Sequence, residues 1–352
     1  MPFPIPPRRV VAWLAVAVLS VLVSVGLGRV GVPSPVLFGT LLAGMAYALS
    51  GRGSLEIPHA LFGLGQALVG VTIGALVSLS TLRALGGDAA VILGATFGTL
   101  VISVLAGQVL RVHESVSATT GAFAMIAGGA SGMVALARDL GADERIVTIV
   151  QYLRVLLVLL TMPVVTAVVF RTTAGTGGGG SGSTAGWPTN LVFTAVAVVA
   201  GMALARYAHI PAGALLGPLL AAVVLSVTGV LGDVGVPAPV QDAGYALIGI
   251  QVGLRFTRES LRTIARVLPL AVTMTLCVIA ACAAMGVVLS AVTGVTRLDG
   301  YLATTPGGLY AVLATAVDSG SDVTFILAVQ VIRVFAMLLA APLLARVLRL
   351  RH

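Results

Sequence analysis

The chain has 352 residues, 58% hydrophobic and 9% charged, with a mean hydropathy of +1.10. Its apolar runs approach the roughly 20 residues that cross a bilayer, which excludes a soluble globular domain. All 20 basic residues are arginine and the net charge is +8, yet no basic patch carries interleaved aromatics, so nucleic acid is not an expected partner and the charge fits loops facing anionic lipid.

In chain order the apolar segments of the first half fall at about 10–28, 34–50, 60–79, 89–110, 118–137 and 146–170. Those of the second half fall at about 189–207, 212–230, 240–254, 267–292, 300–317 and 323–345. Arg8 and Arg9 before the first run resemble a signal peptide, but the counterpart at 189–207 predicts a retained span. Residues from Thr172 to Gly186 are rich in Gly, Ser and Thr and read as a linker outside the membrane. The expected organisation is a first membrane repeat over 1–171, a linker over 172–188 and a second membrane repeat over 189–352.

The two halves are copies. Gly65, Gly70, Gly74, Leu82 and Arg83 recur 179 residues later as Gly244, Gly249, Gly253, Leu261 and Arg262. Gly128-Gly129, Asp139, Gly141, Gln151, Arg154 and Pro163 recur at the same spacing as Gly307-Gly308, Asp318, Gly320, Gln330, Arg333 and Pro342. Pro33 and Gly39 match Pro211 and Gly217 at a spacing of 178. A duplicated, very apolar chain is the signature of a secondary transporter built from structural repeats.

Arginine placement tests the number of spans. If all six segments of each repeat cross, the loop arginines divide evenly and give no orientation. If 118–137 and 300–317 enter and leave on one side, only Arg29, Arg83, Arg171 and Arg297 lie opposite the other fourteen loop arginines. The positive-inside rule selects this second topology, with both termini cytoplasmic. The expected fold is therefore an all-α polytopic membrane protein, two inverted repeats of five transmembrane helices. Each repeat carries a re-entrant or broken-helix segment with a Gly-Gly turn.

Small residues fill the middle of the first such segment, through Gly128, Gly129 and Ser131, and the second reads Thr304-Thr305-Pro306-Gly307-Gly308. Glycine permits a sharp turn and Pro306 interrupts a helix, whereas helix packing alone would explain the small residues only. Just after each turn, Arg154 and Arg333 lie about 12 Å inside an apolar segment. An arginine there is a functional-site hypothesis by default. Gln151 and Gln330, three residues earlier, share its helix face. A guanidinium beside an amide suits capture of a carboxylate or phosphate. The alternative is that each Arg bonds carbonyls of the opposing re-entrant turn and holds the core together.

Other candidates are weaker. Asp139 and Asp318 follow the segments, where they could cap the next helix or pair with an Arg. Cys277 and Cys282 imply no disulfide framework, and with His59, His113, His209 and His352 they make no metal set. No cofactor is expected.

The Pro-x-x-x-x-x-Gly second span, the Gly-rich third span, the Gly-Gly turn and the Gln-x-x-Arg last span together resemble the AbrB family of bacterial membrane proteins, over nearly the whole chain. Members of that family have been named as regulators of gene expression or as ammonia monooxygenases. More remotely, paired Gly-Gly turns in inverted repeats are similar to the sodium–glutamate and sodium–citrate symporters, which implies an elevator-type carrier. The expected function is a secondary transporter for a small organic anion, with Gly128, Gly129, Ser131, Gln151, Arg154, Thr304, Thr305, Gly307, Gly308, Gln330 and Arg333 as substrate-binding residues. A ligand-sensing membrane regulator is the alternative, implied by the family's names. An enzyme is not expected, since a monooxygenase needs metal or cofactor ligands. The expected partners are the anionic solute and membrane lipid, and a homodimer is an open possibility.

Overall fold

The computed structural model describes residues 7–51, 55–77, 79–114, 116–127, 133, 137, 140–172, 185–208, 213–228, 234–258, 262 and 265–349. Those residues form helices and no strand. In the first half they are α1 (Pro7–Arg29), α2 (Pro35–Ser50), α3 (His59–Ala75), α4 (Leu79–Val109), α5 (Ala118–Met125) and α6 (Glu144–Val168). In the second they are α7 (Trp187–Tyr207), α8 (Gly213–Thr228), α9 (Ala238–Leu254), α10 (Leu268–Thr293), α11 (Arg297–Thr304), α12 (Leu309–Asp318) and α13 (Val323–Arg349). The apolar segments read from the sequence match these helices closely. The exceptions are α4, which begins ten residues earlier than expected, and the two turn-bearing segments, in which the helix stops partway.

Among the described residues six helices are long and apolar enough to cross a bilayer: α1, α4, α6, α7, α10 and α13. They occupy matching places in the two halves. The other four expected spans, α2, α3, α8 and α9, have 16 or 17 residues. At about 1.5 Å per residue they reach about 25 Å, short of a full hydrocarbon core. Such short helices fit positions between other helices better than positions in lipid. By contrast α1 and α7 leave much of their surface outward, with Val11, Leu14, Val21 and Leu22 exposed on the first and Val192 and Val199 on the second. Lipid is the solvent such faces match.

The chain forms two compact units, and each draws on both halves. The first comprises Met1–Val77, Arg171–Arg258 and Leu313–Gly320, so it holds α1–α3, α7–α9 and the end of α12. Within it α2 packs on α9, while the equivalent helices α8 and α3 pack on each other. Glycine makes these approaches possible. A Cβ added at Gly249 or Gly253 would collide with the carbonyls of Leu37 or Leu41, and one at Gly70 or Gly74 with those of Leu215 or Leu219. Also within this unit, the Asp318 carboxylate accepts the Ser34 N–H at 2.6 Å and its hydroxyl at 2.9 Å. That bond holds Ser34, the residue before α2, in a left-handed conformation at φ 51°.

The second unit comprises Ser78–Phe170, Glu259–Val312 and Ser321–His352. Its long helices α4 and α10 pack together, with α5 beside α4 and α6, and α11 beside α10 and α13. Gly107 on α4 meets Gly121 on α5 backbone to backbone, and Gly286 on α10 meets Gly300 on α11 in the same way.

Side chains pin the start of each short helix. Ser117 accepts the Thr120 N–H at 3.2 Å, and Thr296 with Asp299 forms a reciprocal capping box. The Thr120 hydroxyl then accepts the N–H of Asp143 at 3.0 Å, and Asp299 accepts that of Asp322 at 3.0 Å. Asp143 caps α6, and Asp322 accepts from the first turn of α13. Each turn-bearing segment therefore ends hydrogen-bonded to its own beginning. The start of each short helix lies beside the start of the long helix that follows it, α5 beside α6 and α11 beside α13.

Candidate functional site

A helix that stops partway leaves its last carbonyls without partners, and in apolar surroundings each must find a donor. α5 stops at Met125, where Ile126 turns extended, and α11 stops at Thr304, where Thr305 is extended ahead of Pro306. The Gln-x-x-Arg pair of the following long helix supplies the donors. Gln151 Nε2 donates to the carbonyls of Phe123 at 2.7 Å and Ile126 at 2.8 Å, and Arg154 donates to that of Met125 at 2.9 Å. In the second half Gln330 Nε2 donates to Leu302 at 2.9 Å and Thr305 at 3.3 Å, while Arg333 donates to Thr304 at 3.2 Å and Thr305 at 2.6 Å. Each guanidinium also donates to the carbonyl oxygen of its own Gln. Every acceptor in the first set lies 179 residues before its counterpart in the second.

These contacts correct one expectation. Among the described residues the arginines bond the turn of their own repeat. The reason is local: α5 and α6 start side by side and run parallel, so the face bearing Gln151 and Arg154 passes directly over the end of α5. The glutamines are fully buried, and Arg154 and Arg333 are 1% and 3% exposed. In each guanidinium one nitrogen, Nε, nevertheless has no hydrogen-bond partner. Neither arginine has a carboxylate partner among the described residues.

Arg154 also faces the other repeat's turn. A Cβ built on Gly307 would lie 3.3 Å from Arg154 Nε, and one built on Gly308 would lie 3.4 Å from Val158 on the same helix. Gly307 and Gly308 have φ of 125° and 69°, a conformation that residues with a Cβ rarely adopt. The hydroxyls of Thr304 and Thr305 point to backbone carbonyls, Thr304 to Cys282 at 2.8 Å and Gly300 at 2.9 Å, Thr305 to Tyr301 at 2.7 Å. Of the expected site residues the structure thus brings together Gln151, Arg154, Thr304, Thr305, Gly307, Gly308, Gln330 and Arg333. Gly128, Gly129, Ser131 and Asp139 lie outside the described residues.

Sequence reasoning missed Cys282, which is fully buried and whose carbonyl accepts the Thr304 hydroxyl at 2.8 Å. It also missed Asp143 and Asp322, which were legible as capping residues just ahead of apolar runs and also 179 apart. Asp318 neither caps the following helix nor pairs with an Arg; its carboxylate holds Ser34.

The helices and their outward apolar faces define an all-α polytopic membrane protein, built around two broken helices closed by buried Gln–Arg pairs. The family model described as "Transition state regulatory protein AbrB" matches residues 36–349, and the chain belongs to that family. It is 33% identical over 341 residues to the Escherichia coli (strain K12) protein named "Putative regulator AbrB", covering 96% of each chain. It is 26% identical over 302 residues to the Bacillus subtilis (strain 168) protein named "Uncharacterized protein YhjN", covering 82% of this chain and 79% of the relative.

Proposed function

We propose that the chain is a secondary transporter for a small organic anion, working by elevator-like alternating access in a bacterial inner membrane with both termini cytoplasmic. The observation that carries this reading is the pair of buried guanidiniums, each with an unpartnered Nε–H and no carboxylate partner among the described residues. Holding the half-helix ends needs donors, and neutral side chains would suffice for that. Two uncompensated charges beside a glycine turn are the chemistry of an anion site. The half-helices α5 and α11 and both arginines belong to one compact unit. The division of loop arginines, fourteen against four, favours five-span inverted repeats, an arrangement suited to alternation about one site.

A second reading is a membrane regulator that senses a ligand, favoured by the family description and the name of the Escherichia coli relative. The same anion site would serve it, without flux. Purified protein reconstituted into liposomes and offered labelled small carboxylates separates the two. Time-dependent uptake that collapses in Arg154→Lys supports transport; saturable binding with no flux assigns the sensor.

A further inference from the structure

Four arginines fall within the connector from α9 to α10. Arg255 follows the last residue of α9, Arg258, Arg262 and Arg266 come next, and α10, one of the six helices long enough to cross a bilayer, starts at Leu268. The only acidic residue between them is Glu259. All four arginines are exposed, while Leu254, Phe256 and Val267 beside them are buried. Charge turned outward and apolar side chains turned inward is the pattern of a segment lying along a membrane surface. Arg258 Nε donates to the Leu49 carbonyl near the end of α2, which anchors that side chain while the residue stays exposed.

The duplication separates this charge from what holds a repeat together. The equivalent positions 179 residues earlier read Leu76, Leu79, Arg83 and Gly87, so only Arg262 has a basic counterpart. A requirement of helix packing would recur in both copies; three arginines present in one copy alone answer to the surroundings of that connector. In the inverted topology the two connectors face opposite sides, and this one is cytoplasmic. Anionic lipids give the cytoplasmic leaflet a negative surface potential, and each arginine held against it adds about fivefold in affinity.

We propose that Arg255, Arg258, Arg262 and Arg266 form a docking surface for the head groups of anionic phospholipids in the cytoplasmic leaflet. The guanidinium fork matches phosphate oxygens two at a time. The surface uses none of the residues of the Gln–Arg site and serves a carrier or a sensor equally.

The test is native mass spectrometry of the purified, delipidated full chain in nonionic detergent with phosphatidylglycerol and phosphatidylcholine at equal concentration. The unsubstituted protein should bind phosphatidylglycerol about tenfold or more the tighter. Arg255→Gln, Arg258→Gln and Arg266→Gln combined should remove that preference, and the three corresponding lysine substitutions should keep most of it, because the charge remains. Arg266→Gln alone, at a side chain with no hydrogen bond among the described residues, should cost about fivefold and decides the matter if the triple variant fails to fold. Arg29→Gln, Arg171→Gln and Arg297→Gln combined, which remove as much charge from the opposite face, should change nothing. Equal binding of the two lipids overturns the proposal, as does a preference that survives glutamine at the connector or falls as far in the opposite-face variant. Displacement of phosphatidylglycerol by an equal concentration of inorganic phosphate assigns the arginines to a free anion and overturns the membrane as their partner.

Discussion

At the residue scale the Gln–Arg pairs do two jobs with different atoms. The glutamine amide and the terminal guanidinium nitrogens close the broken helix; the Nε groups are left for something else. Gln151 shows how tightly the first job is specified, because its amide donates to two carbonyls while its oxygen accepts from Arg154. Gln151→Leu should therefore destabilise the protein by about 3 kcal/mol, from buried carbonyls and a guanidinium left short of partners, read as a lowered midpoint of thermal unfolding in detergent. Gln151→Glu tests the second job. A carboxylate at 151 supplies Arg154 with a counter-charge, so anion-dependent stabilisation should disappear even where the protein still folds. Unchanged anion binding in that variant would remove Arg154 from the site. Of this arrangement, the sequence shows the shared helix face of Gln and Arg and their burial. It does not show which backbone they meet, since face and spacing name a direction and not a partner.

At the element scale, close packing of short helices rests on glycines that a sequence reading recognises as recurring but cannot sort. Gly121 and Gly300 approach the carbonyls of Gly107 and Gly286, whereas Gly94, in the middle of α4, has open space where a Cβ would go. Gly94→Ala should leave the protein as stable or raise its stability by up to about 1 kcal/mol, from helix propensity alone. Gly121→Val and Gly300→Val should each destabilise it by about 3 kcal/mol or more, by overpacking against backbone that cannot move aside. Comparing the three unfolding midpoints checks both directions at once. The helix starts follow the same logic: Asp322→Ala should lower stability by about 1 kcal/mol through loss of its bond to the Phe325 N–H. Except at the start of α4, helix boundaries were legible from apolar length and turn residues to within a few positions. The breaks at Met125 and Thr304 were visible only as small residues and a proline, because stopping a helix inside a membrane depends on donors far along the chain.

At the scale of the whole molecule the duplication is what the sequence displays most fully. The spacing of 179 seen in Gly70 and Gly249 returns as matched hydrogen bonds at 123 and 302, 126 and 305, 143 and 322. The grouping was not legible. The repeats are consecutive in sequence, but each compact unit takes the same elements from both, since α2 finds its partner in α9 and α3 in α8. Local pattern carries no record of such exchange. The proposed topology places the two copies facing opposite ways across the membrane. The loop ahead of α6, around Ala142, and the loop ahead of α13, around Ser321, occupy equivalent places in the two copies. Single cysteines introduced at Ala142 and at Ser321, in a Cys277→Ala, Cys282→Ala background, and probed with a membrane-impermeant thiol reagent on intact cells measure the orientation directly. The inverted arrangement predicts labelling at 321 from outside and at 142 only after the membrane is opened; labelling of both positions from the same side would contradict it.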